Sequence, residues 1–187
     1  MNHPGLARTL SVLMLLSAAV AMSTPTVPRS SPELSIEVPG GKTTMLSSFK
    51  GKVVVLEFLF VRSQHCLRVA QVLNQLQHEL GSRGLQAVGI AFDAPNAAAT
   101  GGEYLSAMVE LLQLTYPVGH SQRASVDSYL GRTANEMLSI PQIVIIDRAG
   151  TIRAVNGSQT NPTLEDVNSL RLLLEPLLKE SPPNPKS

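Results

Sequence analysis

Chemistry in this chain would begin at Cys66, its one cysteine. A thiolate is a good nucleophile, but a lone thiol closes no internal disulfide and builds no cysteine-rich zinc site. Any redox chemistry here is therefore intermolecular. His65 directly precedes the thiol. Its imidazole could raise the thiolate fraction of Cys66 or act as a general base. The other reading is a solvent-facing histidine at a helix start, because side chains one residue apart on a helix point in different directions. Glu57 stands inside the apolar run VVVLEFLF. A carboxylate there costs free energy unless it is paired or protonated. Either it is buried with displaced acidity, or it lies near the strand edge and reaches solvent or a lysine. His78 and His120 show no metal-ligand spacing with each other or with His65 and read as surface histidines, while Asp147 and Gly150 read as turn residues.

These residues need elements to hold them. Val53 to Phe60 is almost continuously apolar and suits a central strand buried on both faces. Gln64 to Leu80 carries Val69, Val72, Leu73, Leu76 and Leu80 as a helical stripe, closed by Gly81 and Gly84. Leu85 to Phe92 reads as a second buried strand and Gly102 to Leu114 as a second helix. Tyr116 to Val118 is a short extended piece, and the stretch from Val126 to Leu138 begins as a helix. Gln142 to Asp147 and Thr151 to Val155 flank Arg148-Ala149-Gly150, a hairpin signature. Leu164 to Lys179 is an amphipathic closing helix with Pro176 near its end. This order predicts an α/β sandwich. The first strands are parallel and joined by right-handed crossovers, the last pair is antiparallel, and helices lie on both faces of a mixed sheet.

The chain is 187 residues long, 43% hydrophobic and 16% charged, which fits one ordinary domain with extra residues at its ends. Its 15 Lys and Arg against 14 Asp and Glu leave a net charge of +1, which argues against an electrostatic nucleic-acid binder. Arg8, the apolar run Leu10 to Val20 and the small residues Ala19-Val20-Ala21 form the three-part pattern of a secretory signal, too short for a comfortable membrane span. The alternative is an uncleaved anchor, the one case in which a membrane would be a partner. No cysteine sits at the cleavage point, which excludes lipoprotein attachment. The expected organisation is a signal peptide over 1–21, a Pro/Ser-rich linker over 22–32, one domain over 33–179 and a frayed tail over 180–187. The mature protein then works in an extracytoplasmic, periplasmic or secreted setting, where disulfide chemistry is available.

The local sequences and their order resemble one family. GKVVVLEFLFVRSQHC is similar to the first strand, active-site loop and helix start of thioredoxin-like proteins. SIPQIVIIDRAGTIRAV resembles that family's cis-proline loop and terminal hairpin. SIEVPGGKTTMLSSFKGK resembles the opening of the extracytoplasmic redoxins, the TlpA/ResA-like branch related to the AhpC/TSA family. The resemblance spans about Pro32 to Leu178 and implies the thioredoxin-like three-layer sandwich. Where the family carries Cys-x-x-Cys, this chain reads Ser63-Gln64-His65-Cys66. Ser63 replaces the usual nucleophile, and its hydroxyl is far too weakly acidic to take that role. Cys66 falls on the resolving position, which is more buried in the family and so poorer in thiolate. The resemblance further implies that Glu57 is the buried carboxylate exchanging protons with the second cysteine. Ile140 and Pro141 become the substrate-contacting proline loop, and Arg62 stands where the family often places Trp. Ordinary dithiol cycling is excluded for this chain acting alone.

Three functions follow from the resemblance. One is a thiol-disulfide oxidoreductase whose Cys66 forms mixed disulfides, with Ser63 and Glu57 beside it and Ile140, Pro141, His65 and Arg62 on the substrate side. Its partners would be protein or small-molecule thiols and disulfides, its role redox homeostasis, and no cofactor or metal is implied. A second is a non-catalytic binding module that keeps the fold, with Cys66 as a small buried hydrophobe. A third is an antioxidant, peroxiredoxin-like peroxidase. Ser63-x-x-Cys66 fits that pattern, but Leu59 stands where it has Pro and Pro141 where it has Arg. Arg62, Arg123 or Arg132 would have to substitute in space.

Overall fold

The computed structural model describes residues 26–92, 101–133, 136, 138–156 and 164–181. The proposed signal segment lies outside them. The described chain forms eight strands and four α-helices: β1 (Arg29–Ser30), β2 (Ser35–Val38), β3 (Lys42–Met45), β4 (Val53–Leu59), α1 (Gln64–Leu80), β5 (Leu85–Ala91), α2 (Gly101–Leu111), β6 (Val118–His120), α3 (Arg123–Leu130), β7 (Gln142–Ile146), β8 (Thr151–Val155) and α4 (Val167–Lys179). The strands join in one sheet with the order β1-β8-β7-β4-β5-β6-β2-β3. Strand β4 runs parallel to β5 and antiparallel to β7, so the sheet is mixed and β4 lies inside it.

Two core layers flank this sheet. Side chains alternate along a strand, so Val53, Val55, Glu57 and Leu59 share one face of β4, while Val54, Leu56 and Phe58 share the other. On the first face pack Val69, Leu73, Leu76 and Leu80 of α1, Leu105 and Met108 of α2, and Leu170, Leu174, Leu177 and Leu178 of α4. On the second lie Val126, Tyr129 and Leu130 of α3, together with Leu34 and Leu46. All seven residues of β4 are buried, which explains why its sequence runs apolar rather than alternating. This is the three-layer α/β sandwich with a mixed sheet that the sequence predicts.

Several boundaries differ from expectation, each for a local reason. Part of the 22–32 linker is structure: Arg29 and Ser30 pair with Ile152 and Thr151 of β8, and Arg29 donates to the Tyr129 carbonyl at 2.9 Å. Helix α3 ends at Leu130, because Gly131 adopts the left-handed conformation that stops a helix. Helix α4 begins at Val167 rather than Leu164. The Asp166 side chain accepts from the amides of Asn168 and Ser169 at 2.9 and 3.0 Å, and this cap sets the start.

Candidate active site

The N-terminus of α1 organises the site. Ser63 has extended backbone and is the N-cap, its Oγ accepting from the Cys66 amide at 3.4 Å. Serine is a favoured cap because its hydroxyl satisfies an amide that the helix leaves without a partner. The residue in the nucleophile position therefore serves as a structural cap. One turn on, the Cys66 side chain falls on the buried face of α1 and has no solvent exposure. It packs in the same apolar cluster as Leu59, Val69, Ile143 and Leu164, with Ile140 against its edge. Burial pushes the Cys66 thiol above its ordinary range. The Ser63 hydroxyl works against that shift, and nearby Glu57 adds to it when ionised.

Glu57 is wholly buried, and neither carboxylate oxygen has a hydrogen-bond partner. On β4 it lies between Gly89 of β5 and Ile143 of β7, on the α1 face of the sheet. Desolvation raises its pKa well above the usual carboxylate range, and the charge of Glu165 raises it further. Of the two placements open for Glu57, the buried one is observed. Tyr116 also feels this carboxylate. Its hydroxyl donates to the Ala70 carbonyl at 3.1 Å, and burial, reinforced by Glu57, pushes it far above the phenol range.

Pro141 is buried, and the Ile140–Pro141 bond is cis. Gln142 pairs with Phe58, so the proline follows the ladder out to the level of Leu59, where β4 hands over to the α1 loop. The proline loop and the start of α1 thus meet at one end of the sheet.

The remaining predicted residues turn elsewhere. His65 is exposed and faces away from Cys66, its Nε2 lying 2.7 Å from Glu165 Oε2. Arg62 is exposed and stacks on the Tyr104 ring of α2 at 5.5 Å. Arg123 lies 5.4 Å from the Phe92 ring centre and pairs with Asp127 at 2.9 Å. Arg132 donates to the Glu136 carbonyl and lies 3.8 Å from Asp127. Among the described residues no cation is one of the groups that set the acidity of Cys66. Among the described residues no group of three His, Cys, Asp or Glu side chains is placed to hold a metal ion.

Sequence reasoning missed three residues at this end of the sheet. Glu165 and Asn156 form a polar bridge with His65, and Tyr104 carries Arg62. The Asn156 amide nitrogen donates to Glu165 Oε1 at 2.9 Å and to the Pro141 carbonyl at 3.3 Å. Its Oδ1 accepts from the Leu164 amide at 2.9 Å. No local spacing announces such a set, since its members lie up to a hundred residues apart.

The sheet order, the capped helix and the proline loop together define the thioredoxin-like fold. Residues 27–155 match the AhpC/TSA family, and the chain belongs to that family. No curated protein sequence matches it. Among solved structures it is similar to the thioredoxin domain of a thiol-disulfide oxidoreductase from Bacteroides vulgatus. That match has 19% identity and a TM-score of 0.65, over 83% of this chain and 99% of the other. It is also similar to a thiol:disulfide interchange protein of the thioredoxin family from Chlorobium tepidum TLS, with 20% identity, a TM-score of 0.64 and coverage of 82% and 99%. A hypothetical protein from Sinorhizobium meliloti 1021 matches with 16% identity, a TM-score of 0.69 and coverage of 88% and 91%.

Proposed function

We propose that this chain is an extracytoplasmic thiol-disulfide redoxin that acts through mixed disulfides of Cys66. The observation that carries this reading is the pairing of one thiol at the capped start of α1 with an unpartnered, buried carboxylate on the same face of the sheet. An inert core needs no carboxylic acid at that position, and leaving one there costs stability.

Cys66 loses its proton to solvent, and the thiolate attacks one sulfur of a partner disulfide. The Cys66 Sγ–S bond forms, the partner's S–S bond breaks, and its second sulfur leaves as a thiolate. An external thiol then attacks the partner's sulfur. Its own S–S bond forms, the Cys66 Sγ–S bond breaks, and Cys66 departs with the electron pair. Glu57, held in its acid form by burial, is the proton donor that restores the Cys66 thiol, and it takes up in turn the proton that the external thiol gave up. No step needs a second cysteine in this chain, but release always needs an external thiol. The likeness to thiol:disulfide interchange proteins supports disulfides of proteins or small thiols as substrates. Ile140 and Pro141 would contact the bound segment, with His65 and Arg62 at its rim. Export through the 1–21 segment belongs to the same reading.

Complete burial of Cys66 favours a second reading, a binding module in which the thiol is only a hydrophobe. Incubating the folded chain with oxidised glutathione decides between them. A redoxin gains the mass of one glutathione, reversibly with dithiothreitol and not in Cys66→Ala. An adduct that forms only after unfolding supports the binding module and overturns the redoxin.

A further inference from the structure

We propose that Glu165 is a positioning residue that clamps the site shut and so controls access to Cys66. This deepens the redoxin reading and rests on Cys66 being the reacting group. Glu165 sits just before α4, one residue ahead of the Asp166 cap. One of its carboxylate oxygens meets His65 Nε2 at 2.7 Å, on the exposed side of the helix that carries Cys66. The other accepts from Asn156 at 2.9 Å. Asn156 in turn holds the Pro141 carbonyl at 3.3 Å and the Leu164 amide at 2.9 Å. Four hydrogen bonds therefore tie together the start of α1, the proline loop, the end of β8 and the approach to α4.

The consequence for Cys66 runs through Leu164. Its side chain is 2% exposed and packs in the Cys66 cluster. Its amide is fixed by Asn156, and its neighbour Glu165 is fixed to the Cys66 helix. A disulfide must approach the sulfur to react, and the sulfur is fully covered. Leu164 lies in the same apolar cluster as Cys66, Ile140 of the proline loop packs against that cluster, and the clamp fixes both segments. Among the described side chains Glu165 links these segments to the helix by a hydrogen bond, which makes it the natural point of opening. A substrate segment that competes for His65 or Asn156 would break the clamp as it docks.

The test is the rate at which iodoacetamide, a small neutral reagent, alkylates Cys66 in the folded full chain. Glu165→Ala removes both legs of the clamp and should raise the rate about tenfold, the factor corresponding to one hydrogen bond to a charged group. His65→Ala removes only the exposed leg and should act in the same direction, deciding the matter if Glu165→Ala does not fold. Glu165→Gln can still accept from Asn156 and donate to His65, so it should restore the slow rate. A melting temperature taken alongside separates opening of the clamp from general loosening. Parental rates in both alanine variants overturn the proposal, and so does a Glu165→Gln rate as high as that of Glu165→Ala. If labelling follows the clamp but no variant exchanges with oxidised glutathione, the redoxin reading fails and the clamp stands. If the chain exchanges but labelling ignores Glu165, the clamp alone fails.

Discussion

Ser63 and Cys66 show how one substitution changes the work of a redox helix. A cysteine at position 63 would meet the amides at the start of α1, which favour a thiolate. The serine that is present offers its oxygen to one of those amides and stops there. Cys66, a turn further in, gets burial and the neighbourhood of a carboxylate, and both favour the neutral thiol. Ser63→Cys should therefore restore dithiol activity, read as dithiothreitol-dependent reduction of insulin. A folded Ser63→Cys variant with no such activity would mean that the loop is not a worn redox loop.

Glu57 makes a prediction about stability. Its pKa is raised in the folded state, so folding favours its protonated form. Stability linked to this group is fully present below its unfolded value and is lost as pH rises through its folded one. Glu57→Leu removes the penalty and should stabilise the chain by about 1–3 kcal/mol at alkaline pH, with a smaller gain near pH 4. Denaturant midpoints at the two pH values check this. An equal gain at both would show that Glu57 does not titrate across that range.

At the scale of elements, the two helix caps can be ranked. Asp166 accepts from two amides at 2.9 and 3.0 Å, whereas Ser63 accepts from one at 3.4 Å. Asp166→Ala should cost about 1–2 kcal/mol and Ser63→Ala about 0.5–1 kcal/mol, both read by chemical denaturation. The reverse order would contradict the geometry. The Asp166 carboxyl is held below its usual range by Ser169 and Asn168, so this cap works above the ordinary carboxylate range and weakens as acid protonates it.

The same elements show what a sequence can and cannot display. Helix α1 was legible to the residue, because Val69, Val72, Leu73, Leu76 and Leu80 repeat at helical spacing and Gly81 and Gly84 close the run. The start of α4 was not. Leu164 continues the apolar pattern of the helix, but its side chain packs in the Cys66 cluster ahead of the Asp166 cap. Strand β1 stayed hidden in a Pro/Ser-rich stretch because two residues carry no periodicity, and only the edge of β8 makes them a strand. At the site, Glu57 was visible as a charge in an apolar run. Its partner charge Glu165 was not, since that neighbourhood exists only after folding.

For the whole molecule, the expected domain boundary at residue 33 can be tested by truncation. A chain starting there loses β1, the Arg29 bond to the Tyr129 carbonyl and the 2.8 Å bond between Ser31 and the Tyr129 hydroxyl. The loss should be about 2 kcal/mol, or about 4–8 °C in melting temperature for a domain of this size. An unchanged melting point would return residues 26–32 to the status of a linker. No helix among the described residues is long and apolar enough to cross a membrane. Export can be checked by fusing residues 1–32 to alkaline phosphatase, which is active only outside the cytosol. An inactive fusion would remove the extracytoplasmic part of the reading.

The fold presents Cys66 as a covered thiol above a buried acid, and that state has a direct kinetic signature. Thiolate, not thiol, is alkylated, so the iodoacetamide rate at Cys66 traces its ionisation across pH. The rate should be low at neutral pH and still climbing above about pH 8.5, the ordinary thiol value. Fast labelling that has already levelled off at pH 7 would mean an activated thiolate, and would contradict the site described above.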